Sequence, residues 1–350
     1  MLRKIFRVNV AVALVVMAVG SYAITASATS RTKTATSPTK FTFLFNYLPE
    51  ADYAPYYSAQ TLGYYKAANL DVTLLLGTGS GPTVERVSIG QVGCGVADTP
   101  TIIQGIRNGA HVKIVGMEFD HSMDNIFTTK KTGITKPSEL VGKTAGSAAG
   151  DSEWLLFPAL AKEQGFNASS VKHVNLDPSA YYGALATGRV QAIFDFTEDA
   201  PFVWEAVGKA NTVSMPFYKY GLNIYGLALF CNDNTLNTDP GVVSAFLEAT
   251  YHGWQYAIEN SKRAMQYEHL ANPTISTSAL QTQWEFVLQT VCTTSFSEHG
   301  LGYIDPGEMA TTVKTVQKYM TATGSISNPA SIYTNEYFIH PTLPSCGPLS

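Results

Sequence analysis

The chain has 350 residues, 45% of them hydrophobic and 14% charged, with a formal net charge of −4. That length exceeds one typical core and predicts two domains. The acidic balance and the absence of basic runs exclude a phosphate-tracking nucleic-acid binder.

Residues 1–28 read as an export signal: Arg3, Lys4 and Arg7 precede an apolar run over 8–19, and Ala26, Ser27 and Ala28 form an A-x-A cleavage site. The alternative, a membrane anchor, is disfavoured because the run falls short of the roughly 20 residues a spanning helix needs. No cysteine lies near the cleavage point, so no lipid anchor is expected. Removing three cations leaves 20 − 27 = −7 on the mature chain. Residues 29–40, rich in Ser and Thr, are expected to be a disordered lead-in.

From residue 41 short apolar runs alternate with helical segments. Strands are predicted at 40–45, 71–76, 92–97 and 111–118, with helices over 55–68, 82–89 and 99–108 between them. This alternation argues for an α/β fold with a parallel sheet. A second unit follows, with strands at 125–130, 143–146, 171–175, 192–196 and 212–215 and a return strand at 223–231. After Asp239 and Pro240 the pattern is helical, over 241–259, 263–272, 277–291 and 306–321. The reading is one lobe from 41–124 and 232–350, with a second lobe, 125–231, inserted into it. The two crossings form a hinge.

In such folds the turns after parallel strands meet at one edge of the sheet, where ligands bind. Tyr47 and Tyr53 lie in or beside the first such turn, where a tyrosine face stacks on a ring; plain packing is the alternative. Tyr56 and Tyr57 read as structural. Gly79, Ser80 and Gly81 precede one helix, and Ser147, Ala149 and Asp151 precede another that starts near Ser152. Free N–H groups at helix starts accept polar ligand atoms, although Ser80 and Ser152 read equally well as helix caps. Asp98 ends one strand and either caps the next helix or accepts a ligand donor. Glu198, and alternatively Asp195, sits where a cleft receives it. No Lys or Arg falls in these turns, whereas Asp52, Asp98, Asp120, Asp124, Asp151, Asp195 and Glu198 surround them. An acidic, tyrosine-rich cleft suits a neutral or cationic heterocycle better than a free anion.

Four cysteines allow three pairings. Cys292 and Cys346 are the expected pair, while Cys94 and Cys231 read as small buried hydrophobes within strands. No histidine accompanies them at zinc-ligand spacing, so no metal site is expected.

Several segments in order carry a resemblance: Ala54-Pro-Tyr-Tyr-Ser-Ala59, Gly63-Tyr-Tyr-Lys66, Asn69-Leu-Asp-Val72, Ile89-Gly-Gln-Val-Gly-Cys-Gly-Val-Ala-Asp98, Thr135-Lys-Pro-Ser-Glu-Leu-Val-Gly-Lys-Thr144, Gly146-Ser-Ala-Ala-Gly-Asp-Ser152 and Leu185-Ala-Thr-Gly-Arg-Val-Gln-Ala192. Together they resemble the periplasmic solute receptors of ABC importers, in the group that holds alkanesulfonate, taurine and nitrate receptors and receptors for the thiamine pyrimidine precursor. The resemblance implies a type II periplasmic binding fold, a periplasmic monomer, a small-molecule ligand, an ABC permease in the inner membrane as partner, no cofactor and no catalysis. Pyrimidine-precursor receptors carry a Trp-x-Pro-Asn-x-x-His pattern. Here Tyr47 and Pro49 keep its type, while Glu50 replaces Asn and Tyr53 replaces His. The same fold serves a pyrimidine-synthesising enzyme that uses a histidine and a pyridoxal-phosphate lysine. Its cysteine-rich motif is missing here, and His111, His121, His173, His252, His269, His299 and His340 are scattered. Ser169 and Lys172 match a short nucleophile spacing of the kind that arises by chance. A sensory receptor that binds without import is the remaining alternative.

Overall fold

The structure, a computed structural model, describes residues 37–338 and 342–346. Residues 1–28, read as an export signal, most of the expected lead-in 29–40, and His340 lie outside the described residues. From Pro38 onward the chain folds as one unit containing two five-stranded sheets.

The first sheet grows from β1 (Thr39–Leu44), followed by α1 (Ala54–Thr61) and α2 (Tyr64–Ala67), β2 (Leu70–Leu75), α3 (Ser80–Ser88), β3 (Cys94–Asp98), α4 (Thr99–Arg107) and β4 (Val112–Met117). β1 pairs in parallel with β2 and β3. Both faces of the central β3 are covered, so its five residues are all buried, as a doubly covered strand requires. The chain then crosses to β5 (Asp124–Thr129), β6 (Thr144–Ser147), α5 (Ser152–Glu163), β7 (Lys172–Asn175), α6 (Tyr181–Ala186), β8 (Ala192–Phe196), α7 (Ala200–Val207) and β9 (Thr212–Pro216). These strands make the second sheet, ordered β7-β6-β8-β5-β9.

β10 (Leu227–Asn232) returns to the first sheet and lies antiparallel between β3 and β4, giving β2-β1-β3-β10-β4. The return strand read at 223–231 within the inserted unit thus pairs with the first sheet. A purely parallel sheet was expected, yet each sheet carries one reversed strand, β10 in the first and β5 in the second. The cause is topological. Both strands enter directly from the other sheet without a helical crossover, and so run against their neighbours.

The two crossings lie side by side. Gly226 N–H donates to Phe119 O at 3.2 Å, and Ser122 N–H to Ile224 O at 2.8 Å. A Cβ on Gly226 would stand 2.6 Å from His121 O and 2.9 Å from Phe119 Cβ, so this approach needs glycine. The C-terminal helices are α8 (Asp233–Thr238), α9 (Pro240–Glu259), α10 (Ser261–Ala271), α11 (Thr277–Val291), α12 (Thr294–His299) and α13 (Pro306–Tyr319). Pro306 opens α13, and the Asp305 carboxylate accepts from the N–H groups of Gly307 and Glu308 at 2.7 and 3.0 Å, satisfying two free donors of its first turn. Among the described residues no helix is long and apolar enough to cross a membrane.

Aromatic rings pin β1 to its helices. Tyr56 stacks on Phe43 with centroids 5.1 Å apart, and Phe246 of the long C-terminal helix lies 4.9 Å from the same ring. Tyr56 and Tyr57 are buried, in line with their structural reading.

Cys292 and Cys346 form a disulfide, as expected. Cys94 and Cys231 form a second one, which corrects their reading as unpaired hydrophobes. They are direct cross-strand partners in β3 and β10, a register that the return of β10 creates. The bond closes 137 residues of chain, the whole second sheet included. Replacing both Cys94 and Cys231 by Ala is expected to lower stability by about 2–5 kcal/mol in denaturant titration. An unchanged midpoint would show that this link does not constrain the unfolded chain.

Candidate functional site

The carboxyl ends of the strands of both sheets face one another, and the turns that follow them build the site. Asn46, Tyr47 and Glu50 come from the turn after β1, and Ser80 from the turn after β2. Opposite stand Asp151, Ser152 and Glu153 after β6, and Asp195, Phe196 and Asp199 at and beyond the end of β8. Together they line a cavity of about 310 Å³, part of it open to solvent. Only about 20 Å³ of it admits the centre of a water molecule, room for roughly one water, so the two walls stand close together.

The first turn is held by its own side chains. The Tyr53 hydroxyl accepts from Tyr47 N–H at 3.0 Å and donates to Asn46 Oδ1 at 3.1 Å, while its ring stacks on Phe45 at 3.9 Å. Gly77 N–H donates to Tyr47 O at 3.1 Å, and Gly79 N–H to Asn46 O at 2.6 Å. A Cβ on Gly77 would lie 2.3 Å from Phe45 O, so only glycine allows the two turns to pack. Tyr53 is therefore buried as a brace of the turn, and Tyr47 is the tyrosine that reaches the cavity.

Across the cleft, Asp151 caps the turn before α5. Its carboxylate accepts from Ala148 N–H at 2.7 Å and from the Tyr181 hydroxyl. Asp195 accepts from the Tyr182 hydroxyl at 3.1 Å and from Phe196 N–H at 3.1 Å. Asp199 accepts from Gln283 Nε2 at 3.1 Å. Asp199 Oδ2 has no hydrogen-bond partner, and burial followed by the charge of Asp199 pushes Asp195 well above the usual carboxylate range.

Of the other expected site residues, Ser80 lines the cavity, with its hydroxyl accepting from Asp98 N–H at 3.1 Å. Ser152 lines it and donates weakly to Asp124 and Glu153 at 3.4 Å. Gly79 lies near Asp151, and Gly81 near the Gly150 carbonyl, so these turns meet between the sheets rather than in the cavity wall. Ser147 is buried against His173 Nε2 at 2.9 Å, and Ala149 is exposed. Asp98 precedes α4 without capping it through its side chain. It is buried outside the cavity lining, and so is Glu198. Asp199, the next residue in the chain, occupies the wall in place of Glu198. Sequence reasoning also missed Asn46, Glu50, Glu153 and Phe196. The one signal for Glu50 was its place at the Asn position of the pyrimidine-receptor pattern.

Five carboxyls, Glu50, Asp151, Glu153, Asp195 and Asp199, face this space. Among the described residues eleven side-chain carboxyls are buried, while no Lys, Arg or His is. Burial raises each of the five above the usual carboxylate range, and neighbouring acids add to it: Asp199 on Glu50, Asp151 on Glu153, Asp199 on Asp195 and Glu198 on Asp199. Hydrogen bonds from Tyr181 and Ala148 oppose the effect at Asp151. The Tyr47 hydroxyl is held far above its ordinary value by burial, then by Asp195 and Tyr181, and stays protonated as a donor.

A sequence profile of the NMT1/THI5-like family matches residues 50–264. The chain belongs to that family. It is 22% identical to the riboflavin-binding protein RibY of Chloroflexus aurantiacus over 307 residues, covering 85% of each chain. It is 24% identical to the 4-amino-5-hydroxymethyl-2-methylpyrimidine phosphate synthase of Legionella pneumophila, covering 69% of this chain and 77% of the synthase. In fold it is similar to the alkanesulfonate-binding protein SsuA of Xanthomonas axonopodis pv. citri, with a TM-score of 0.68 at 11% identity, covering 86% of this chain and 99% of that one. The fold is that of the periplasmic binding proteins, two α/β lobes about a cleft. The similar structures are mostly solute-binding proteins without catalysis, although some sequence relatives are named as synthases.

Raised carboxyls give the ligand-free protein an inverted acid response. Asp124 is held up to about 7 and Asp52 up to about 8, each by burial first. Unfolded, both titrate near 3.9, so above that pH the folded state holds more protons than the unfolded chain. The stability these two acids contribute is then full below about pH 3.9 and is lost progressively as the pH rises through their folded values of about 7 and 8. The melting temperature at about pH 5 should exceed that at about pH 8.5; a curve that climbs over this interval would show that the acids are charged and compensated.

Proposed function

We propose that this chain is an extracytoplasmic solute receptor that clamps a small cationic or neutral heterocycle between its lobes and presents it to an ABC permease. The carrying observation is the wall of five carboxyls around Tyr47, with no buried cationic side chain among the described residues. Protonated carboxyls and the Tyr47 hydroxyl donate hydrogen bonds, ionised carboxyls accept them, and the Tyr47 ring offers a flat face. An aminopyrimidine or aromatic amine uses all three. A sulfonate or nitrate would meet like charge and no cation, which sets this cleft against the ligand named for SsuA. Size does not separate a single ring from the flavin named for RibY, since the space between the walls here has room for about one water, and the choice rests on the chemistry of the walls. The synthase reading inherited from the fold needs a histidine and a lysine in the cleft, and the cavity lining contains neither.

Export through the segment 1–28, a periplasmic location and monomeric action belong to the same proposal. Two disulfides support it, since such bonds persist in oxidising compartments. Closure uses the paired crossings as the hinge, with bound solute stabilising the closed arrangement.

The test is a thermal-shift screen of aminopyrimidines, aromatic amines and sulfonates, followed by titration of the best ligand. A heterocyclic amine should raise the melting temperature. Tyr47→Ala and Asp195→Asn should each weaken it about tenfold or more while the protein stays folded. A sulfonate hit whose affinity improves in Asp195→Asn would overturn the reading in favour of an anion receptor, and product formation from any ligand would overturn it in favour of an enzyme.

A further inference from the structure

We propose that Glu50, Asp52 and Glu198 form a divalent-cation site, suited to calcium, that ties the turn after β1 to the turn after β8 behind the cleft wall. Each contributes a carboxylate oxygen to a group whose members lie within 4.8 Å of one another. Two oxygens bound to one calcium ion at about 2.4 Å stand at most about 4.8 Å apart, so each pair in the group lies within the span one ion bridges, and a side-chain adjustment of a few tenths of an ångström brings all three onto it. The residues are 2%, 0% and 0% exposed. Both oxygens of Asp52, both of Glu198 and Oε2 of Glu50 lack a hydrogen-bond partner. The peptide N–H groups of Asp52 and Tyr53 ease the Asp52 carboxylate without bonding it at full geometry. Glu198 has no such relief, and its neighbours Asp52, Glu118 and Asp195 all carry its own sign.

Three acids gathered in a dry place with unused lone pairs are the arrangement that a hard cation completes. The donors are all oxygen. Carboxylates bind calcium through one or two oxygens each, so this set supplies three to six of the six to eight it takes. Zinc prefers nitrogen and sulfur, and no histidine or cysteine belongs to the group. An organic amine is not the occupant, because Asp52 and Glu198 lie outside the cavity lining and only Glu50 borders it. The ion also joins the sheets: Glu50 and Asp52 follow a strand of the first, Glu198 a strand of the second. Gln283 braces the same region, accepting from Ala51 N–H at 3.1 Å and donating to Asp199.

The site stands apart from the solute reading, since ion binding is measured with no solute present and Tyr47→Ala leaves it intact. Full-length mature protein is stripped with a chelator and titrated calorimetrically with calcium chloride. One ion per chain is expected, with a rise in melting temperature of roughly 3–8 °C at saturating ion that excess chelator reverses. Glu198→Gln and Asp52→Asn should each weaken calcium binding at least tenfold. Both keep side-chain shape and remove a buried like charge, so the ion-free variants melt no lower than the ion-free parent. Calcium, magnesium and manganese all giving neither heat nor thermal shift would overturn the site. So would a calcium stoichiometry and affinity that both variants leave unchanged.

Discussion

The structure turns on one electrostatic constraint: carboxyls from both sheets are buried facing one another, and no cationic side chain is buried with them among the described residues. An isolated carboxylate costs several kcal/mol to desolvate, and a like charge beside it adds to that cost. The protein relieves the cost in two visible ways. Some acids are fed by donors, as Asp151 is by Ala148 N–H and Tyr181, and Asp195 by Tyr182 and Phe196 N–H. Others are pushed toward the protonated form, as Asp195 and Asp199 are by burial and by the acids beside them. Carboxylate oxygens without partners remain at Glu50, Asp52 and Glu198, which lie together, and at Asp98, Glu118, Asp199 and Glu268.

Fold and site are linked through the reversed strands. If β5 and β10 entered through helical crossovers, the sheets would stand apart as separate domains joined by loops. Because each passes directly from one sheet to the other, the crossings lie together and the carboxyl ends of β1, β2, β6 and β8 meet at one rim. Gly226 permits the close pairing of the crossings, and Gly77 permits the turns after β1 and β2 to share hydrogen bonds. The Cys94–Cys231 bond then fixes the return strand beside β3.

Much of this was legible in the sequence. The expected strands at 40–45 and 71–76 appear as Thr39–Leu44 and Leu70–Leu75, and the one at 192–196 appears unshifted. Apolar periodicity reports burial, and burial is what makes these strands. Strand direction was not legible, since a doubly covered strand reads the same whichever way it runs, and the Cys94–Cys231 pair followed from that direction. In the site, the acidic character and the role of Tyr47 as cleft residue were visible from turn composition. The division of labour between neighbours was not. Tyr53 and Tyr47 differ by which one Phe45 and Asn46 claim. Glu198 and Asp199 differ by one residue at the start of a helical turn, which sends one inward behind the wall and the other into it. Phase of that kind is set by tertiary packing.

The same repulsion that makes the closed cleft costly makes it selective under the proposed reading. With the cleft empty, approach of the β6 and β8 turns to the β1 turn brings like groups together, which favours the open arrangement. A guest shifts the balance only by interacting differently with the two arrangements. A cationic or hydrogen-donating guest does so strongly, because closure converts mutual repulsion of the walls into attraction toward the guest. An anion gains nothing from closure and adds to the repulsion. Selectivity is thereby carried by the work of closing, and it does not require many direct contacts in a cavity this small.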